Sequence, residues 1–399
     1  MKRLFSNLLF KVFIAIVLGI VFGLYMPESV NRVFTTFNAF FGQFLNFSIP
    51  LIIMGLIMPA ISDLGKGAGK LLLLTAAIAY GSTLFSGFMT YFTASNIFPF
   101  LLESHVNDAA QIADSGPELL PYFSIVIPPV LDVMSALVLA FVIGLGLSFQ
   151  EKSTLKFVVR DFQKIIMQLI ENVIVPLLPL FILGIFASMA FSGKVFSILS
   201  VFISIIGVIF ALHILLLLLQ YTIAGVLTKK NPIKLLATMM PAYFTALGTQ
   251  SSAATIPVTL EQTLKNGVSE KIAGFVIPLC ATIHLSGSIM KITACAMALM
   301  ILEGMPFSFT LFAGFIFTLG IAMIAAPGVP GGAIMAAVGI LQSMLGFSEE
   351  MLGLMIALYI AMDSFGTACN VTGDGAISLV VDKITKEELI TTSSYKTSF

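Results

Sequence analysis

Residues 359–381 read YIAMDSFGTACNVTGDGAISLVV, and the fold turns on what this stretch is. It lies in an otherwise apolar run, yet it holds Asp363, Asp374, Asn370, the hydroxyls of Ser364, Thr367, Thr372 and Ser378, and three glycines. An ionised carboxylate at membrane depth costs several kcal/mol unless it faces a partner or a water-lined cavity. A chain that keeps two of them there, with an amide and hydroxyls between, is building an enclosed polar site or a polar helix-packing seam.

Composition decides the solvent. The 399 residues are 58% hydrophobic and 10% charged, with a mean hydropathy of +1.06. A soluble domain of this length cannot hide that much apolar surface, because the buried fraction rises only slowly with size. A bilayer can accept it, and each crossing helix needs about 20 apolar residues for a core about 30 Å thick. The formal net charge is zero, which gives no footing for a nucleic-acid or polybasic surface role. Cys280, Cys295 and Cys369 sit in apolar context and read as small buried residues, not as a disulfide framework or metal cluster. No Walker loop is present, which argues against ATP-driven transport by this chain alone. The basic, apolar N-terminal run lacks a small-residue cleavage pattern and is expected to be a retained first span.

Apolar runs at 8–25, 34–58, 71–98, 122–149, 162–191, 195–227, 272–301 and 352–381 are expected to cross. Two further runs, 233–264 and 307–345, are broken near their middles by GTQSSAATIP and AAPGVPGGA. They are expected to enter and leave on one side, with irregular backbone that is tolerated only against protein or water-filled space. Basic residues test this. Lys2, Arg3, Lys11, Lys66, Lys70, Lys152, Lys156, Arg160, Lys164, Lys229, Lys230, Lys234, Lys265, Lys271, Lys383, Lys386 and Lys396 fall on one side. Glu103, Asp108, Asp114, Glu118, Glu303, Glu349 and Glu350 fall on the other, and only Arg32 and Lys194 break the pattern. The bias predicts an all-α membrane protein of eight transmembrane helices plus two re-entrant helical hairpins, with both termini cytoplasmic.

The second half also repeats itself. SSAATIPVTL is followed by an apolar leg, a charged gap and a span interrupted by CATIHLSGS; APGVPGGAIM is followed by a leg, a gap and a span interrupted by MDSFGTACNVTGD. Inverted repeats with interrupted helices mark secondary transporters, whose sites lie at the repeat interface near the midplane.

At these residues the chain resembles the dicarboxylate/amino acid:cation symporter family, the glutamate transporter family. SSAATIPVT resembles its serine-rich first-hairpin tip, GVPGGAIM its second-hairpin tip, and NVTGD the end of its last-span motif. PLCATIHLSGS stands where the family has a proline-led stretch ending in Asn-Met-Asp-Gly-Thr. The resemblance implies an elevator-type homotrimer in a bacterial inner membrane, contacting lipid and carrying an amino acid with sodium ions. Scaffold spans would occupy 1–70 and 122–194. The transport domain would take 71–121 and 195–399, with hairpin 1 at about 233–265, span 7 at 272–301, hairpin 2 at 307–345 and span 8 at 352–381.

The resemblance also assigns residues. Asp363 would meet the substrate ammonium and Asn370 its carboxylate, with Thr367 one turn from each; the competing readings are a packing carboxylate and a threonine bonded back to its own helix. Ser251, Ser252, Gly328 and Val329 at the hairpin tips would face the substrate, although serine also caps helices and glycine also packs closely. Asp374, with carbonyls of Cys280, His284 and Asn370, matches the first sodium site. Thr282 and the tip at Ile324 to Ala326 would supply carbonyls for another, oxygen ligands suiting a hard cation.

The departures are informative. Acidic-substrate members carry an arginine where this chain has Gly366, so a neutral substrate is expected, with space opened beside it. Lys291 is the alternative source of that charge. The usual aspartate of span 7 is Ser286 and the usual asparagine is His284. Leu84 stands where span 3 often gives a serine ligand, while Tyr80 and Thr83 keep part of the pattern. Fewer sodium ions are therefore expected, or partial proton coupling. His284 and Lys291, seven residues apart on nearly one helical face, are candidates for a proton or fixed-cation site; the competing reading is a carbonyl-bonded histidine and a snorkelling lysine. His105 and His213 read as loop and helix residues, away from any carboxylate cluster. A channel would show a continuous polar pore, and an enzyme would rest on Ser286 with His284 alone; a non-transporting sensor is the remaining alternative.

Overall fold

The computed structural model describes residues 8–63, 70–113, 119–150, 153–193, 195–327 and 330–396, and its regular structure is helical. The first helices are α1 (Leu8–Tyr25), α2 (Glu28–Asp63), α3 (Lys70–Ala113), α4 (Val133–Ser148), α5 (Thr154–Phe191) and α6 (Val195–Thr228). Shorter pieces follow: α7 (Pro232–Thr238), α8 (Met240–Thr249), α9 (Ser252–Lys265), α10 (Glu270–Ile283) and α11 (Ser286–Leu302). The chain ends with α12 (Phe309–Ala325), α13 (Gly332–Leu345), α14 (Glu349–Ala361) and α15 (Asp363–Lys396).

Among the described residues, six helical stretches are long and apolar enough to cross a membrane, and the bent pair α14 and α15 makes up to seven. Expected span 4 is the exception. Only Val133–Ser148 of 122–149 is helical, because Pro128 and Pro129 withhold backbone donors and push their predecessors toward extended conformations. Asp132 then caps α4, its carboxylate accepting the Ser135 N–H at 2.9 Å. In α5 a π turn at Ile170–Ile174 precedes Pro176 and Pro179; a wider turn absorbs the clash of a proline ring with the carbonyl four residues back.

The two broken apolar segments have helical arms that pack on each other, α8 with α9 and α12 with α13. The first tip turns at Gln250, which takes the left-handed conformation, and at Ser251, which is extended and caps α9. The second turns at Ala326, whose ψ of 134° is the extended state imposed on a residue before proline. Spans 7 and 8 are both interrupted. α10 ends at Ile283, with His284 as its C-cap, and α11 starts at Ser286; α14 and α15 are bent by 60° at Met362.

One large apolar core joins α1, α2, α4 and α5 to α11–α14, and a second gathers α7–α10 around α15. α11 runs through the interior with Ser286 to Met300 all buried. α15 packs against α6, α8, α9, α10 and α11. Interrupted helices wrapped in protein on all sides are where unpaired backbone groups and charges are tolerable at membrane depth. The three cysteines are buried free thiols, as expected.

Candidate substrate and cation site

The breaks in α10–α11 and α14–α15 face each other. Gly287 makes this approach close: a Cβ there would lie 2.7 Å from the Gly366 carbonyl oxygen and 2.9 Å from Cys369 Cβ. Asn370 sews the two together. Its Oδ1 accepts the Gly287 N–H at 2.7 Å, and its Nδ2 donates to Ser288 Oγ at 3.2 Å. Tyr359 of α14 donates to the same Ser288 hydroxyl at 3.0 Å.

Asp363 opens α15, where the partial positive charge of a helix N-terminus favours a carboxylate. Its two oxygens are shared between two other elements. Oδ1 pairs with Lys291 Nζ of α11 at 3.1 Å, and Oδ2 accepts the Gly331 N–H, at the N-cap of α13, at 2.8 Å. Lys291 is fully buried. Its ammonium also reaches the Met362 carbonyl at 3.4 Å and stands 3.7 Å over the Tyr359 ring, a cation–π contact that strengthens when desolvated. The first-hairpin tip joins here as well, Gln250 Nε2 donating to Ser364 Oγ at 2.9 Å.

Gly366 is the reason the lysine fits. A Cβ at that position would lie 2.5 Å from Lys291 Nζ and 3.0 Å from its Cδ. The space expected to open beside the substrate is instead filled by Lys291, so that expectation is corrected. The lysine does not snorkel either; its head is held by a carboxylate, a carbonyl and a ring.

A second cluster lies farther along α15. His284 Nδ1 and Asp374 Oδ1 are 2.8 Å apart, with both side chains buried. His284 Nε2 is 3.1 Å from Ser82 Oγ of α3, and Gln220 Nε2 of α6 donates to that hydroxyl at 2.9 Å. A consistent donor order runs Gln220 to Ser82 to His284 Nε2, with Nδ1–H donating to Asp374. Ser86, one turn past Ser82, donates to the Ser286 carbonyl at 2.6 Å. Buried oxygens without a partner among the described residues on these elements include Ser286 Oγ, Thr293 Oγ1, Thr372 Oγ1 and Gln220 Oε1. Oxygen atoms of this kind are the donor type that a hard cation takes. No group of three His, Cys, Asp or Glu side chains gathers for a transition-metal site among the described residues.

Other expected residues are placed less centrally. Ser251, Thr282, Ile324 and Ala326 line one cavity of about 600 Å³ between the two hairpin tips, α2 and α5. Ser251 Oγ caps α9 by accepting the Ala254 N–H at 3.2 Å. Ser252 is buried in the first turn of α9, and Thr367 is buried on α15. The Cys280 carbonyl accepts the His284 N–H at 2.9 Å. Gly328 and Val329 lie outside the described residues.

Sequence reasoning missed several partners. On α3 the residues facing the break are Ser82 and Ser86. Thr83 bonds its own helix at Ala79, and Tyr80 reaches the Phe317 carbonyl at 3.4 Å. The serine pair is spaced i, i+4, a one-face signal that was legible. His213 is no bystander: its Nε2 is 3.3 Å from the Gly287 carbonyl. His105 falls within α3, not a loop, and its side chain lies outside the described part. Ser288 and Tyr359 carried no sequence signal beyond their neighbours, whereas Gly331 lies within the GVPGGAIM tip.

Comparisons with known proteins agree on one family. The model of the sodium:dicarboxylate symporter family matches residues 8–384. The serine/threonine transporter SstT of Acinetobacter baumannii is 28% identical over 392 residues, covering 94% of this chain and 96% of that one. Excitatory amino acid transporter 3 of Mus musculus is 35% identical over 181 residues, or 45% of this chain. Excitatory amino acid transporter 2 of Homo sapiens is 31% identical over 172 residues, or 42% of this chain. The matched region spans 34% of the mouse protein and 29% of the human one, about a third of these relatives' length.

Proposed function

The chain belongs to the sodium:dicarboxylate symporter family, and from that premise we propose that it is a sodium-coupled symporter for a neutral amino acid. It is a transporter and not an enzyme. The observation that carries the neutral assignment is the direction of Lys291. Its charge is matched by Asp363 and its stem fills the gap at Gly366, so in the substrate-free protein this cation is already engaged and does not wait for a substrate side-chain carboxylate. Charge counting agrees: the Lys291–Asp363 pair is neutral, a zwitterion leaves it neutral, and aspartate would add an uncompensated anion. A relative named as a serine/threonine transporter matches 94% of the chain, which supports the same reading.

In this reading Asp363 meets the substrate ammonium, Asn370 its carboxylate, and Ser251, Ser252, Thr367, Gly328 and Val329 complete the pocket. Asp374, with the carbonyls of Cys280, His284 and Asn370, holds one sodium ion; Thr282 with Ile324 and Ala326 holds a second. His284 already engages Asp374, and Ser286 brings no carboxylate, which supports fewer coupled ions than in acidic-substrate members. Helices α1, α2, α4 and α5 serve as the frame of a homotrimer, and α3 with α6–α15 as the moving elevator, in a bacterial inner membrane with both termini inside. The buried ammonium of Lys291 and the excitatory amino acid transporters among the relatives favour one competing reading, an acidic substrate that draws Lys291 away from Asp363.

A thermal-shift screen of the purified protein with and without sodium tests this. Ligand binding stabilises the native state by mass action, by about 2.7 kcal/mol at a hundred times Kd, and so raises the transition temperature. Serine, alanine or threonine should stabilise the protein only when sodium is present. Aspartate as the strongest stabiliser would overturn the neutral assignment.

A further inference from the structure

We propose that Lys291 is the built-in counter-ion of the empty substrate site, so that the empty carrier returns across the membrane without borrowing a cation from solution. The inference rests on the reading above, in which Asp363 meets the substrate ammonium. Three independent features hold the lysine in this role. Its ammonium pairs with Asp363 at 3.1 Å while both side chains are buried. The Met362 carbonyl at 3.4 Å and the Tyr359 ring at 3.7 Å fix it from two further directions. Gly366 on the facing helix leaves room for its stem, since a Cβ there would sit 2.5 Å from Nζ.

A symporter must send its emptied site back. With substrate gone, a lone Asp363 would be an unpaired carboxylate inside protein at membrane depth, which is strongly disfavoured. A carrier can answer by binding a soluble cation on the way back, or by supplying one of its own. Here the cation is tethered to α11 and already seated, with Gly331 N–H satisfying the other carboxylate oxygen. An arriving ammonium group then competes with Lys291 for Asp363, and the summed charge of pair and zwitterion is the same before and after.

The test compares two fluxes in proteoliposomes for wild type, Lys291→Met and Lys291→Arg. Exchange, labelled substrate outside against unlabelled inside, needs no empty return. Net uptake into substrate-free vesicles does. Wild-type net uptake, driven by an inward sodium gradient, should be the same whether the lumen holds potassium or only N-methylglucamine. Lys291→Met should lower the ratio of net uptake to exchange by roughly tenfold or more, the rate cost of a raised barrier, and Lys291→Arg should recover it. Wild-type net uptake that stops without lumenal potassium overturns the proposal, as does Lys291→Met with a wild-type ratio. The potassium arm needs wild type alone and decides the matter if the Met variant does not fold. Absence of both fluxes in wild type is instead a failure of the symporter reading, and this inference falls with it.

Discussion

Gly366 and Lys291 act as one unit, and neither is intelligible without the other. The glycine is eight residues past Leu358 in sequence terms but its meaning lies on α11, where the lysine stem occupies the volume a side chain would need. Adding any side chain at 366 pushes on a buried ammonium already committed to Asp363. Overpacking of this kind costs about 1–3 kcal/mol. Gly366→Arg should therefore lower the thermal unfolding transition by that order. Lys291→Ala in the same chain should recover much of it, because the arginine then inherits both the space and the carboxylate. A double-mutant cycle would register this as a favourable coupling of about 0.5–3 kcal/mol. Additive losses would show that the two positions do not share the site.

At the scale of elements, the breaks matter more than the helices. α11 and α15 are joined at their interruptions by Asn370, whose amide uses both ends on α11: Oδ1 on Gly287 N–H and Nδ2 on Ser288. Asn370→Leu should leave that buried N–H unsatisfied and destabilise the substrate-free protein by about 1–3 kcal/mol. Differential scanning calorimetry of the apo protein reads this directly; an unchanged apo transition would mean that Asn370 serves only the substrate. Much of the element plan was legible from pattern alone. The two tips announced themselves through GTQSSAATIP and AAPGVPGGA, and the two breaks through polar letters in apolar runs. Span 4 was not, because an apolar run with Pro128 and Pro129 keeps its hydropathy while losing its helix. The side-chain partners were hidden for a different reason. Asp363 with Lys291 and His284 with Asp374 are separated by 72 and 90 residues, so hydropathy and helical periodicity name the charges without saying how they pair. Once the pairs are seen, the proposal of a neutral substrate rests on a different cause from the one expected. Gly366 does not leave a hole; it admits a lysine that is already matched.

For the whole molecule, the outer surface and the interior tell the same story. Large apolar side chains such as Phe13, Phe100, Ile203 and Val226 are exposed on the long helices, a surface suited to lipid rather than water. The polar groups gather where α3, α6, the hairpins and the two broken helices meet, the place expected for a carrier's occluded site. One enclosed pair, Lys291 with Asp363, puts a positive partner of the protein's own where a bound cation would otherwise stand, while Asp374 is hydrogen-bonded by the buried His284. Labelled serine uptake into proteoliposomes tests the proposed sodium-coupled carriage of a neutral amino acid. With an inward sodium gradient and the purified protein, serine should accumulate above equilibrium, lose its accumulation when sodium is equal on both sides, and yield to excess alanine or threonine but not to aspartate. Accumulation that ignores the sodium gradient, or that aspartate abolishes at the lowest concentration of all competitors, would contradict it.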